Sequence, residues 1–191
     1  MNKLKERVLA YIIDMIIVSL VFSLITVFFS TSSNYKKLNN ELEEVTNDFL
    51  EQKIDTVTYI NKQADISHDM DKEIIMFNVL NGFILVGYFV ILPYYYNGQT
   101  LGKKLLKIKI ESKDGSLTLN QLIIRALIID GLGSLIILLA LVYVLTGLPY
   151  FIVTSCLNLI EVVLTIVSVV FIIKRDDHRS IHDLLSGTEV I

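Results

Sequence analysis

The sequence predicts an all-α polytopic membrane protein: four transmembrane helices, an acidic extracytoplasmic helical segment between helices one and two, and a small amphipathic and β-hairpin connection on the cytoplasmic side. Three observations predict it. Of 191 residues, 53% are hydrophobic and only 19% are charged, whereas an average soluble domain carries roughly 25% charged residues. The apolar residues gather into four stretches, Val8–Phe29, Ile74–Tyr96, Leu122–Leu145 and Tyr150–Ile173, of 22, 23, 24 and 24 residues. Each exceeds the ~20 residues that a helix needs to cross a hydrocarbon core of ~30 Å. Lysine and arginine, finally, concentrate beside the ends of these stretches that an even number of crossings puts on one side.

The first span follows Lys3, Lys5 and Arg7, as a secretory signal would. A run of 22 residues is too long for a signal core, Asp14 interrupts it, and no small-residue cleavage site follows Phe29, so it is expected to stay as a membrane helix. Arg7, Tyr11 and Asp14 share a helical face, but Arg7 and Asp14 are ~10 Å apart along the axis. Each therefore needs a partner elsewhere; Asp14, if it pairs with Arg7 or Arg125, should stay charged.

Residues 30–73 carry five lysines against ten acidic residues, a net of −5. Leu38, Leu42, Val45 and Phe49 recur at helical spacing with Glu41, Glu43, Glu44 and Asp48 between them, which predicts an amphipathic helix in a solvated hairpin. The connection 97–121 reads as two pieces. Gly98-Gln-Thr-Leu-Gly-Lys-Lys-Leu-Leu suits a short headgroup helix whose Lys103, Lys104 and Lys107 meet anionic lipid. Lys107-Ile-Lys-Ile-Glu-Ser then alternates before Asp114-Gly115, a hairpin signal. Gly98-x-x-x-Gly102-Lys103 is one residue short of a phosphate-binding loop, and Lys104 replaces its hydroxyl. In the tail 174–191, Thr188-Glu-Val-Ile is β-prone and is expected to pair with Lys107–Ser112, carrying Asp183 toward Lys103, Lys104 or Arg7.

Orientation follows from the positive residues, which accumulate on the cytoplasmic side. Lys3, Lys5 and Arg7, then Lys103, Lys104, Lys107, Lys109, Lys113 and Arg125, then Lys174, Arg175 and Arg179 all fall on one side if both termini are cytoplasmic. The net charge of −3 disfavours nucleic acid as a partner. Cys156 is the single cysteine, and the three histidines are scattered, so neither a disulfide, a metal centre nor any other cofactor is expected. No serine or cysteine stands at a defined spacing from Asp177-His178 or His182-Asp183, and an enzyme is not expected.

Charged groups inside a span cost on the order of 2.5–3.5 kcal/mol on insertion scales and mark interior or functional faces. Asp130 lies in the third span near Ala126, Gly133 and Ser134, whose small side chains permit close helix contact. In the fourth span Thr154, Asn158, Glu161, Thr165 and Ser168 form a polar stripe that should face the bundle interior. Asp14, Asp130 and Glu161, with Asn158 and Thr165, are the candidate ion or proton path, Glu161 being the better proton carrier because its span holds no basic residue. The same groups equally suit the role of polar glue between helices.

Taken in order, these pieces resemble the RDD family of bacterial multi-pass membrane proteins, named for an arginine and two aspartates. Arg7 and Asp14 match its first-span pattern; Gly98, Gln99, Thr100, Gly102 and Lys103, followed by Arg125, match its inner motif; Asp183, Gly187 and Thr188 match its carboxyl motif. The resemblance implies a protein of the cytoplasmic membrane, with transport by monovalent cation–proton exchange as the leading function. It also implies an alternative, a non-catalytic adaptor, assembly or regulatory factor linked to envelope stress or peptide-antibiotic resistance. Four helices are few for alternating access, so a homo-oligomer or a membrane partner protein is expected. The 44-residue acidic segment and Glu161 depart from the family pattern.

Overall fold

A computed structural model of the protein describes residues 3–29 and 32–191; Ser30 and Thr31, which open the acidic segment, lie outside them. Among the described residues, three helical stretches are long and apolar enough to cross a membrane: α1 (Leu4–Phe29), the run Ile75–Tyr95, and α9 (Gly147–Lys174). A fourth exists only if two shorter helices, α7 (Leu119–Ile129) and α8 (Leu132–Val144), count as one span bent by 68°. This corrects the expectation of an unbroken third helix. Asp130 leaves helical geometry at φ −98°, ψ 12°, and Gly131 turns at φ +80°, a left-handed conformation that only glycine adopts freely. Past the bend Gly133 packs so closely that an added Cβ would lie 2.3 Å from the Leu127 carbonyl oxygen. The small residues flanking Asp130 thus serve a break in the helix rather than one continuous contact face.

The acidic segment forms the expected hairpin, α2 (Ser33–Leu50) and α3 (Thr56–Glu73). Ser32 and Asp55 accept the backbone N–H groups of Tyr35 and Thr58, the usual N-cap arrangement. Val45 is buried on the predicted face and Phe49 stacks on Tyr59 at 4.4 Å. Helix α3 lies along α9, where the Tyr150 hydroxyl donates to Asp71 at 2.7 Å and His68 packs edge-on against the Tyr150 ring.

The run Ile75–Tyr95 comprises α4 (Ile75–Val86), a π-helical turn (Gly87–Ile91) and α5 (Leu92–Tyr95). Pro93 explains the widening: it has no N–H to give the carbonyl four residues back, and a π turn accommodates the gap. Beyond it, α6 (Leu101–Leu105) crosses α1. Gly102 permits the crossing, since a Cβ there would lie 2.3 Å from the Ala10 carbonyl oxygen.

Strand β1 (Ile110–Ser112) pairs antiparallel with β2 (Thr188–Val190), Ile110 opposite Val190, and Lys109 exchanges two backbone hydrogen bonds with Ile191. The tail therefore pairs where expected, while the hairpin expectation is corrected. A tight turn does follow β1, but Thr118 caps α7 in a capping box with Gln121, which commits the second arm to helix and leaves the edge of β1 to the tail. Short α10 (Ile181–Ser186) precedes β2, with Gly187 closing it at φ +68°. The central core comprises Val18, Leu85, Phe89, Val90, Ile110, Leu122, Ala126 and Leu132. Outward faces stay apolar, as at Leu24 (68% exposed) and Phe83 (71%), as lipid contact requires.

Candidate functional site

Asp14, at the middle of α1, is fully buried and its carboxylate is filled by the motif of α6. One oxygen accepts the Tyr88 hydroxyl at 2.7 Å and the Gly102 N–H at 2.8 Å, and the other accepts Thr100 at 2.6 Å. The Lys103 ammonium stands 3.6 Å away. Neither arginine pairs with Asp14: a close backbone crossing, made possible by Gly102, fills its carboxylate with N–H and hydroxyl donors instead. Neighbouring Gln99 donates to the Ile108 carbonyl, and Gly98, at φ +81°, accepts the Ile110 N–H where a Cβ would lie 2.0 Å from the Ile110 carbonyl oxygen.

Both arginines converge instead on Asp183. Its carboxylate accepts Arg7 on one oxygen and Arg125 on the other, and Ser180 adds its N–H at 3.0 Å and its hydroxyl at 2.6 Å. Arg125 also donates to Thr188 at 2.7 Å, and Arg7 to the His178 carbonyl at 2.8 Å. Burial alone would raise the Asp183 carboxyl, but the charges of Arg125 and Arg7 and the Ser180 hydroxyl hold it well below the usual carboxylate range. Neighbouring His182 is pushed well below its ordinary value, by burial first and by the charge of Arg125 second, against the opposing pull of Asp183. It remains neutral, and its Nδ1 has no partner among the described residues.

Two cavities border this polar centre. One of about 180 Å³ is lined by Arg7, Lys103, Arg125, Asp130, Ser168 and His182, with the sheet residues Ile108, Ile110 and Val190 among its apolar walls. A larger, more open one of about 530 Å³ is lined by Asp130, Glu161, Asn158, Thr165, Tyr11 and the Gly131 turn. Asp130, Tyr11 and Thr165 line both. The second cavity offers carboxylate, amide and hydroxyl oxygens and no basic side chain, a donor set for a small cation or a proton.

The structure thus brings Asp130, Glu161, Asn158 and Thr165 together but leaves Asp14 out, since it lines neither cavity and its acceptors are taken. The polar stripe of α9 is not uniformly interior: Ser168 is buried, Glu161 and Thr165 are half-buried, and Asn158 is exposed. Lys103 turns inward to Asp14, with a side chain only 16% exposed, so it is withdrawn from the lipid-facing set; Lys104 and Lys107 remain exposed. Sequence reasoning missed Tyr88 and Ser180, and it set Tyr11 and His182 beside the signature residues without a role. Ser180 carried a readable signal, because Ser180-Ile-His-Asp183 is a capping-box pattern.

Long apolar helices around a buried charged centre define a multi-pass membrane protein. A family model described as the RDD family matches residues 2–187, and the chain belongs to that family. It is 31% identical over 108 residues to the uncharacterized protein YckC of Bacillus subtilis (strain 168), a bacterial protein, in a match covering 56% of each chain. The aligned part thus spans little more than half the length of that relative. No solved structure matches.

Proposed function

We propose that the protein exchanges monovalent cations for protons across a bacterial cytoplasmic membrane, with both termini on the cytoplasmic side. One observation carries the reading. The larger cavity gathers Asp130 and Glu161 with Asn158, Thr165 and Tyr11 beside the broken span and without a basic residue, and interrupted helices with carboxylates at membrane depth suit ion sites. Two carboxylates, one holding the exchanged proton and the other ionised, match a singly charged ion in charge. Glu161 is the proton carrier in this reading. Arg7, Asp14 and Asp183 hold the frame, and no enzymatic step is involved. The basic segments support the orientation, and exposed Lys104 and Lys107 suit contact with anionic lipid. Asn158, exposed within a span, is costly against lipid, which favours a second copy covering this face. In proteoliposomes under a pH gradient, Glu161→Gln should keep the wild-type melting temperature and lose at least 90% of cation flux; unchanged flux would refute Glu161 as carrier.

The adaptor reading draws on a different observation. The tip of the α2–α3 hairpin presents Leu50 (71% exposed) and Val57 (69%) beside the Phe49–Tyr59 stack, an apolar surface suited to a partner protein. Stoichiometric co-purification of an unrelated membrane protein, lost in Leu50→Asp, together with an absence of flux, would favour it.

A further inference from the structure

Lys103 is a buried amine that neither the frame nor the proposed ion path uses. Its ammonium makes one hydrogen bond, to the Thr100 hydroxyl at 3.3 Å, and stands 3.6 Å from Asp14. Asp14 gains little from it, having three closer donors. Across the smaller cavity lies Asp130, which accepts no hydrogen bond among the described residues and feels the charges of Lys103 and Arg125. Arg125 is not free to answer it, being held by Asp183 and Thr188. Lysine, a compact charge on a four-carbon stem, is the mobile one of the two.

We propose that Lys103 is a tethered cation, which crosses the smaller cavity to neutralise Asp130 whenever Asp130 holds neither a proton nor a monovalent cation. This rests on the exchange reading for the identity of the ligand. Arg7 and Arg125 are both held by Asp183, which leaves Lys103 as the cation shared between Asp14 and Asp130, so a free cation at Asp130 keeps Lys103 beside Asp14. The other ionisable groups around the two cavities are Tyr11 from α1, Glu161 from α9 and His182 from the tail. Burial lowers the Lys103 amine, against the pull of Asp14 and Asp130.

The test uses the purified protein in detergent, with its melting temperature titrated by sodium, potassium or lithium chloride at constant ionic strength; binding to the folded state raises it by mass action. Removing one unit charge across a cavity-sized gap in an effective dielectric near 20 predicts roughly a tenfold change or more. Lys103→Met should lower the stabilising cation midpoint by that factor and move the pH at which protons abolish stabilisation upward. Lys103→Gln, which keeps a donor for Thr100, should do the same if the methionine variant fails to fold. Lys103→Arg should retain the wild-type midpoint, and Asp130→Asn should abolish the cation response with or without Lys103. An unchanged midpoint in whichever neutral variant folds, or no cation response in wild type, overturns the proposal. The expected shifts in a protein that carries no flux would uphold the Lys103–Asp130 competition and remove the exchange reading.

Discussion

Asp183 serves two arginines with one carboxylate, and both guanidinium groups are nearly out of solvent, at 10% and 7% exposure. Removing one partner of such a group leaves charge buried without compensation, at about 3–5 kcal/mol. Asp183→Asn should therefore unfold the tail and lower the melting temperature more than Asp177→Asn, whose ion pair with Arg175 is largely exposed. Its neighbour sets a pH limit. The folded state disfavours protonated His182, so the unfolded chain binds the extra proton, and stability falls as pH drops below about 6.5. The slope has a ceiling of about 1.4 kcal/mol per pH unit for one proton. His182→Asn should flatten that limb of a melting-temperature profile between pH 7 and 5; an unaltered limb would show that another group titrates there. The low-lying Asp183 carboxyl withdraws its own contribution only below about pH 4. These two groups were visible in the sequence as an adjacent pair, but the meeting of Asp183 with Arg7 and Arg125, 176 and 58 residues away, is a product of the fold.

At the level of elements, α6 and the tail strand close one end of the bundle, α6 through a backbone approach that a side chain would block. Gly102→Ala would drive a Cβ into the Ala10 carbonyl; overpacking of this kind costs about 1–3 kcal/mol, and the melting temperature should fall accordingly. Ile110 and Val190 are directly opposite and lie between the hydrogen-bonded pair of Lys109 with Ile191 and the next such pair, the closer type of antiparallel position. Cysteines at 110 and 190 in a Cys156→Ser background should form a disulfide readily, whereas cysteines at 110 and 189 should not. The alternation of Lys107-Ile-Lys-Ile was legible as strand, with Ile108 and Ile110 inward at 1% and 4% exposure. Its partner was misassigned in part, because the Thr118–Gln121 capping box competes for the second arm. The break at Asp130–Gly131 escaped the hydropathy pattern, since an apolar run looks the same straight or bent.

For the whole molecule, composition and apolar run lengths were enough to read a polytopic helical fold, because the bilayer imposes length and polarity on every crossing. The site was only half legible: spacing along one helix placed Asn158, Glu161 and Thr165 together, but it could not reveal which groups the bend would turn toward them or that α6 would claim Asp14. Orientation has its own check. Asn61 on the hairpin and Asp114 in the connection are both exposed, and a membrane-impermeant thiol reagent applied to intact cells should label cysteine at 61 and not at 114; the reverse would invert the topology. Coupled exchange, as proposed, requires that a cation gradient alone drive protons across the membrane. Liposomes holding wild-type protein and a pH dye, loaded with a sodium, potassium or lithium salt and diluted into cation-free buffer, should acidify inside as the cation leaves and protons enter. An interior pH that stays level for all three cations, with correctly folded protein in the bilayer, would contradict it.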